Sequence, residues 1–188
     1  MKTQLDTEIA LILNEDIRLL VRAVLDACPL CFWTMPAATT GKYHPAISLG
    51  EGGLIRHTKA VVRLACHLCD MSDIAPGTVD RDIIIAAAIL HDCCKKNDNE
   101  KYTAFMHPQR AADLIWQQAT LLAAGGEDAV RDAAARTIAA IVACHMGRWN
   151  VNPRTGETLP TPLTPMQQLV HTADYLASRK DITLADIR

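Results

Sequence analysis

The chain has 188 residues, a net charge of −2 at pH 7, 49% hydrophobic residues and only 4% aromatic residues. This length predicts one domain over residues 1–188, with a core that needs no cross-links, and the small net charge gives no overall indication of a nucleic-acid or membrane surface. No segment approaches the ~18 apolar residues of a membrane span, and seven cysteines without framework spacing favour reduced thiols in a cytoplasmic protein.

The first half of the chain predicts two amphipathic helices separated by an irregular segment. Apolar residues recur in steps of three and four from Leu5 to Ala27, and Cys28-Pro29 then ends the first helix. Residues 29–53 are rich in proline, threonine and glycine, and we expect this segment to line a pocket. The second helix is predicted from Leu54 to Cys69, with His57 on its apolar stripe.

Three more helices are predicted in the middle of the chain. The third runs from Arg81 to about His91, with Asp80 as its cap. It is apolar nearly all round, which predicts a central, buried position. The fourth begins at His107-Pro108 and continues to about Ala123, because proline is favoured in the first helical turn. The fifth is predicted from Glu127 to His145, with His145 on its apolar face.

The end of the chain predicts a loop followed by a last helix. Residues 147–162 contain several prolines and glycines and, like residues 29–53, are expected to line the pocket. Thr164 to Gln167 then form a capping box with proline in the first helical position, and the helix is expected to reach about Lys180. No strand-like alternation extends beyond a few residues. The fold class is therefore predicted to be all-α, a bundle of about six main helices.

Several of these helices place histidines and acids on buried faces. The inward-facing candidates are His57, His91, Asp92, His107, His145 and Asp174. Imidazole and carboxylate groups are common ligands of divalent metals. A single inward histidine is more often a hydrogen-bonded core residue, and His44 and His67 are interpreted in that way. The whole set predicts either one metal site at the centre of the bundle or several unrelated polar networks.

These residues carry a resemblance to a known family. The order His57, His91-Asp92, Asp174 resembles the H…HD…D signature of the HD superfamily of metal-dependent phosphohydrolases. GGLIRHT around His57 and HDCCK after Leu90 resemble its GGLL-x-HT and HD-x-G-K segments. His107-Pro108 resembles the HP of two-metal members. ACHMGRW and TPLTPMQQLVHTADYLASR are similar to segments of YhaM-type 3′–5′ exoribonucleases. The similarity covers about residues 52–178.

The resemblance implies a single HD-domain-like helical bundle that hydrolyses a phosphomonoester or phosphodiester of a nucleotide or nucleic acid with metal-activated water. It implies that one divalent ion is held by His57, His91, Asp92 and Asp174. In two-metal members the aspartate of the HD pair, here Asp92, bridges to a second ion, for which His107 and His145 are the candidates. The donor types do not distinguish among Mn, Fe, Co, Ni, Zn and Mg, nor between one ion and two.

Four basic residues are candidates for contact with a nucleotide or short nucleic-acid substrate. Lys95 follows His91 by one helical turn and is predicted to meet a substrate phosphate, which makes it a catalytic candidate beside Asp92. Arg148, Arg154 and Arg110 are candidates for further phosphate contacts. Trp149 is interpreted either as packing or as a stacking surface for a base. Whether the protein forms a homo-oligomer stays open.

Two alternatives to an enzyme remain open. Cys144 stands where two-metal members have a histidine, and Cys94 stands where the family has a glycine. These departures favour a nucleotide-binding regulatory HD module with little or no turnover. The second alternative is a zinc-stapled interaction protein, because the pairs Cys28/Cys31 and Cys66/Cys69 have the half-site spacing of a structural zinc site. Free thiols are the default interpretation of these cysteines.

Overall fold

The computed structural model describes residues 4–38, 44–71, 77–123, 129–182 and 184. Within these ranges it contains seven α-helices: α1 (Asp6–Ile9), α2 (Glu15–Ala27), α3 (Gly53–Asp70), α4 (Thr78–Leu90), α5 (His107–Ala123), α6 (Ala129–Ala143) and α7 (Pro165–Ala177). The described residues form no strand, and an isolated bridge joins Val151 to Thr158. The all-α prediction is confirmed.

The prediction of one continuous first helix from Leu5 to Ala27 was wrong. The chain is helical in α1 and α2 but not between them, because this junction has other hydrogen-bond partners. Asn14 caps α2, and its side-chain oxygen accepts the Ile17 N–H at 3.1 Å. The fully buried carboxylate of Asp82 accepts the N–H groups of Leu13 and Asn14 at 3.0 and 2.7 Å. Asp82 lies on α4, so a distant part of the chain sets this break.

Helix α4 occupies the centre of the bundle, as predicted from its apolar composition. Every residue from Asp82 to Leu90 is buried, and α4 contacts α2, α3, α6 and α7. The prediction that Asp80 caps this helix was wrong, because the helix begins earlier, at Thr78, with Gly77 as its N-cap. Asp80 instead lies in the first turn, where its negative charge interacts favourably with the helix dipole.

The remaining helices close around α4 and bury one hydrophobic cluster. Helix α5 packs mainly against α6, and α3 packs mainly against α7. Two predicted ends were too long: α6 stops at Ala143 and α7 stops at Ala177. Glu127, the predicted start of the fifth helix, lies outside the described residues. None of the helices in the described part of the chain has the length and apolar content that a bilayer span requires.

The cysteines are free thiols, as the default interpretation predicted. The thiol of Cys28 donates to the Leu25 carbonyl at 3.2 Å, whereas the thiol of Cys31 donates to the Lys96 carbonyl at 3.3 Å. Among the described residues, no cysteine belongs to a group of three metal-ligating atoms within 4.8 Å of one another. The geometry therefore does not support the four-cysteine zinc site.

Candidate metal centre

Six predicted side chains come together where α3, α4, α5, α6 and α7 meet. His57 lies on α3, His91 and Asp92 directly follow α4, His107 begins α5, His145 follows α6, and Asp174 lies on α7. The four histidines and Asp92 are buried, and the side chain of Asp174 is 21% exposed. The short turns after α4 and α6 therefore bring the residues that follow these two helices into the same interior region.

The carboxylate of Asp92 lies in the middle of this group. Its Oδ1 atom is 3.0 Å from His107 Nε2 and 3.7 Å from His145 Nε2. Its Oδ2 atom is 3.5 Å from His91 Nε2 and accepts a hydrogen bond from Lys95 Nζ at 2.5 Å. Oδ1 therefore faces His107 and His145, whereas Oδ2 faces His91 and Lys95. The Lys95 ammonium balances the buried negative charge.

The carboxylate of Asp174 extends the group on the other side of His91. Its Oδ1 atom is 3.0 Å from His57 Nε2 and 3.8 Å from His91 Nε2. The imidazoles form a chain of neighbouring rings: the centroids of His57 and His91 are 5.5 Å apart, and that of His145 is 5.1 Å from His91. The ring of His107 lies 5.2 Å beyond His145.

Backbone carbonyls fix the orientation of three of these imidazoles. In each, Nδ1 donates to the carbonyl of the residue three positions earlier: His91 to Ala88 at 2.9 Å, His107 to Ala104 at 2.7 Å and His145 to Val142 at 2.8 Å. A neutral imidazole that donates from Nδ1 has an unprotonated Nε2. The lone pairs of these three Nε2 atoms are therefore directed at the carboxylates, the arrangement found in metal-ligating histidines.

The central atoms lack ordinary hydrogen-bond partners. His91 Nε2, His107 Nε2 and Asp92 Oδ1 are buried and make no hydrogen bond with any described residue. A neutral His107 has an acceptor at Nε2, 3.0 Å from the acceptor Asp92 Oδ1, so a cation or a proton is needed between them. Leaving such groups buried and unpaired costs about 1–3 kcal/mol each. The donor set therefore fits a bound cation.

Two groups of atoms have the spacing of metal ligands. His57, His91 and Asp92 form one, and Asp92, His107 and His145 form the other, with each group's ligand atoms within 4.8 Å of one another. Asp92 belongs to both groups. Nitrogen and oxygen donors without a thiolate suit divalent first-row metals.

The electrostatics of both carboxylates and of His145 favour the protonation states that metal ligation requires, whereas at His91 burial is outweighed by the Asp92 and Asp174 carboxylates, which raise its pKa. Burial alone would raise the pKa of Asp92, but the Lys95 ammonium and His91 hold it well below its usual value. Burial would also raise the pKa of Asp174, which its hydrogen bond with His57 and the nearby His91 lower instead. Burial and the neighbouring His91 lower the pKa of His145 to about 3. Both carboxylates are therefore ionised and His145 is neutral at pH 7.

A family comparison agrees with this geometry. The model of the HD domain matches residues 54–179, which is more than half of the chain. The chain belongs to the HD domain family. The match contains all six side chains of the central group. No solved structure matches the chain significantly.

A curated relative is similar in sequence to a shorter part of this chain. It is a dihydroneopterin 2′,3′-cyclic phosphate phosphodiesterase of Methanocaldococcus jannaschii, 48% identical over 46 residues. The matched part makes up 24% of this chain and 18% of the relative. The chain therefore covers less than a fifth of that protein's length.

The structure places the four basic candidates in different surroundings. Lys95 contacts Asp92 inside the site. The guanidinium of Arg110 pairs with Glu100 at 2.9 Å. Arg154 lies in an exposed turn, where its side chain makes no ion pair with any described carboxylate. Arg148 stacks on Trp149, four residues after His145 in the chain. Geometry thus brings only Lys95 directly to the central carboxylate.

Two further histidines lie next to the candidate metal centre, and sequence reasoning did not assign either of them to it. The ring of His44 lies 5.3 Å from that of His57, so the interpretation of His44 as an ordinary core residue overlooked a site neighbour. Its position within the segment expected to line a pocket was the available signal. His171 donates from Nδ1 to the backbone carbonyl of His145 at 2.7 Å and so supports the turn after α6.

Gly147 allows the close approach of the His171 ring. Replacement of Gly147 therefore tests whether His171 supports the turn after α6. Gly147 has a φ of +56°, and a Cβ there would lie 2.1 Å from the His171 ring. Gly156 has a φ of +75° but open space around it. Both Gly→Ala changes strain the backbone by about 1–2 kcal/mol. We expect Gly147→Ala to cost at least about 1 kcal/mol more than Gly156→Ala, measured by chemical denaturation, because its Cβ displaces the ring. Equal costs would contradict this.

Proposed function

We propose that this HD domain protein is a metal-dependent phosphohydrolase that cleaves a phosphomonoester or phosphodiester of a nucleotide or nucleic acid. The observation that carries the proposal is the shared position of Asp92 in both candidate ligand groups. A carboxylate shared by both groups would hold two ions close together, and two ions about 3.5–4 Å apart can act on the same phosphoryl group. The phosphodiesterase name of the curated relative supports the phosphodiester alternative.

The proposed ligands of a first ion are His57, His91, Asp92 and Asp174. Asp92 would also hold a second ion, together with His107 and His145. Bound divalent ions supply hydroxide near neutral pH and neutralise charge that develops on the phosphoryl oxygens. Mn, Fe, Co, Ni, Zn and Mg all remain candidates, because nitrogen and oxygen ligands discriminate weakly among them.

Lys95 is the proposed contact for the substrate phosphate. Its side chain is 12% exposed, so the ammonium lies at the boundary between the buried carboxylate and solvent. One of its three N–H groups is donated to Asp92 Oδ2, and the others are left to bind a phosphoryl oxygen. Lys95 would thus both orient Asp92 and attract the substrate's negative charge. Arg148, Arg154 and Arg110 remain proposed secondary contacts.

Metal analysis combined with turnover tests the proposed function. We expect the purified protein to contain about one or two divalent metal ions per chain, and to hydrolyse bis-p-nitrophenyl phosphate or p-nitrophenyl phosphate. Removal of the metal with a chelator should abolish turnover, and re-addition of a single metal should restore it. Turnover that survives complete metal removal, or absence of turnover with every divalent metal of a panel, would reject the proposal.

One specific observation favours the regulatory alternative. The thiol of Cys144 is directed back into α6, where it donates to the carbonyls of Ala140 and Ile141 at 3.2 and 3.3 Å. The site therefore has one histidine where two-metal members have a pair. A nucleotide-binding module with little turnover would show nucleotide-dependent thermal stabilisation but no product with any metal. Measurable product formation would exclude it.

The remaining expectations stay predictions. They are a single domain over residues 1–188, a cytoplasmic location, a nucleotide or short nucleic-acid partner and a homo-oligomeric state. Particular closeness to YhaM-type exoribonucleases also stays a prediction. Size-exclusion chromatography with light scattering measures the oligomeric state directly.

A further inference from the structure

A pair of aromatic rings lies on the surface next to the candidate metal centre. The ring of Trp149 stacks on that of Tyr175, with centroids 5.5 Å apart and an interplanar angle of 24°. Trp149 is 45% exposed, and Tyr175 is half-buried. Tryptophan normally contributes most to stability when its large apolar surface is buried. Core packing alone therefore does not account for this exposed stack.

Two guanidinium groups lie over the aromatic pair. Arg148 is 4.5 Å from the centroid of Trp149 and 5.9 Å from that of Tyr175. Arg179 is 5.6 Å from the centroid of Tyr175 and also pairs with Asp181. Arg148 makes no ion pair with a carboxylate in the described ranges. A guanidinium that lies over an aromatic ring can still donate from its N–H groups to a further partner.

This aromatic–arginine surface is joined to the candidate metal centre by short chain segments. Tyr175 directly follows Asp174 in the chain. Arg148 is three residues after His145, so the Cα atoms of His145 and Arg148 are at most about 11 Å apart. The ring of His171 lies 6.1 Å from Trp149, and His171 also donates to the carbonyl of His145. A substrate phosphate at the centre would therefore have this surface within about the length of a nucleotide.

The chemistry of the surface matches a nucleobase. Bases stack on aromatic rings and on arginine guanidinium planes, and arginine N–H groups bind the acceptor atoms at base edges. We propose that Arg148, Trp149, Tyr175 and Arg179 bind the nucleobase of the substrate, stacked against the exposed part of the aromatic pair. This inference rests on the proposed function, because it names the part of a nucleotide substrate that lies beside the cleaved phosphoester.

A comparison of two cyclic phosphates tests the assignment. Adenosine 2′,3′-cyclic phosphate and glycerol 1,2-cyclic phosphate share the same five-membered reacting ring, but only the first carries a base. We expect Trp149→Leu to lower the ratio of their kcat/KM values, adenosine over glycerol, by about 5- to 150-fold, the range that base stacking on aromatic side chains provides. Trp149→Phe should restore most of the ratio, since it keeps a stacking ring.

The chain provides a matched control in Trp116. This tryptophan is 39% exposed and also lies under a guanidinium, that of Arg136 at 5.6 Å. It is nine residues along α5 from His107, about 13 Å at 1.5 Å per residue. Trp116→Leu should leave the ratio within about two-fold. The assignment is overturned if Trp149→Leu leaves the ratio unchanged, or if Trp116→Leu lowers it equally.

A binding measurement separates failure of this inference from failure of the proposed function. Calorimetric titration of the metal-loaded protein with the methylenephosphonate analogue of adenosine 3′-monophosphate, in which CH2 replaces the cleavable ester oxygen, involves no turnover. Weaker binding by at least 5-fold in Trp149→Leu, with no change in Trp116→Leu, would support the base site even if no substrate were hydrolysed. Equal affinity of the wild type and Trp149→Leu would overturn the base site, whereas hydrolysis of either cyclic phosphate would still support the enzyme.

Discussion

Asp92→Asn is expected to lower the rate of phosphoester hydrolysis by more than about 100-fold and to reduce the metal content of the purified protein. Loss of a group that merely supports a metal ligand typically costs about 10- to 100-fold in metal affinity or activity, so loss of a shared ligand should cost more. The amide keeps the volume of the side chain but removes the negative charge, which faces His91, His107, His145 and Lys95.

Asp113→Asn provides the control for this variant. Asp113 is an exposed residue of α5 that accepts a hydrogen bond from Gln109 at 2.9 Å. The same change of charge there should leave both metal content and rate within about two-fold of the wild type. Elemental analysis and steady-state kinetics are measured on the same preparations, with circular dichroism to verify the helical content. Unchanged turnover in Asp92→Asn would refute the proposed role of Asp92.

Asp82→Ala is expected to lower the free energy of unfolding by about 3 kcal/mol. The buried Asp82 carboxylate accepts the N–H groups of Leu13 and Asn14, and hydrogen bonds to charged groups contribute about 1.5–3 kcal/mol each. Its removal leaves these donors without their acceptor at the junction of α1 and α2. For a chain of this size the melting temperature should fall by about 6–12 °C, measured by circular dichroism.

The effect of Asp82→Ala should be confined to stability. Asp82 lies more than two helical turns before His91 on α4, so the metal content and kcat of the folded variant should stay near those of the wild type. Asp113→Ala, which removes an exposed carboxylate, should cost less than about 0.5 kcal/mol. A loss for Asp82→Ala no larger than that would show that its hydrogen bonds at the junction contribute little.

The sequence predicted the helices and the central residues because both depend on local patterns. Apolar spacing placed α3 through α7 to within a few residues, and the apolar run before His91 identified α4 as the buried helix. The inward direction of His57 and His145 also followed from their position on apolar stripes. The HD motif then restricted which acids and histidines belong together. Their convergence in the fold was therefore predictable.

The features that sequence reasoning missed depend on tertiary contacts. The break before α2 has a local signal in the N-cap Asn14, but Asp82, which accepts the Asn14 N–H, is 68 residues away in the chain, and no local pattern reveals that contact. His44 lies in an irregular segment without helical periodicity, so its position in a segment expected to line a pocket was a signal for the site but did not identify His57 as its neighbour. Arg110 had a suitable position in the chain, but its pairing with Glu100 depends on the loop before α5.

The backbone contacts of His91, His107 and His145 have a consequence for the substitutions that the site tolerates. Each imidazole is oriented by a main-chain oxygen of its own turn, at positions 88, 104 and 142. Every amino acid supplies that oxygen, so no side-chain replacement at those positions deletes the contact. Substitutions at positions 88, 104 and 142 can therefore keep the ring orientation as long as the turn keeps its backbone conformation.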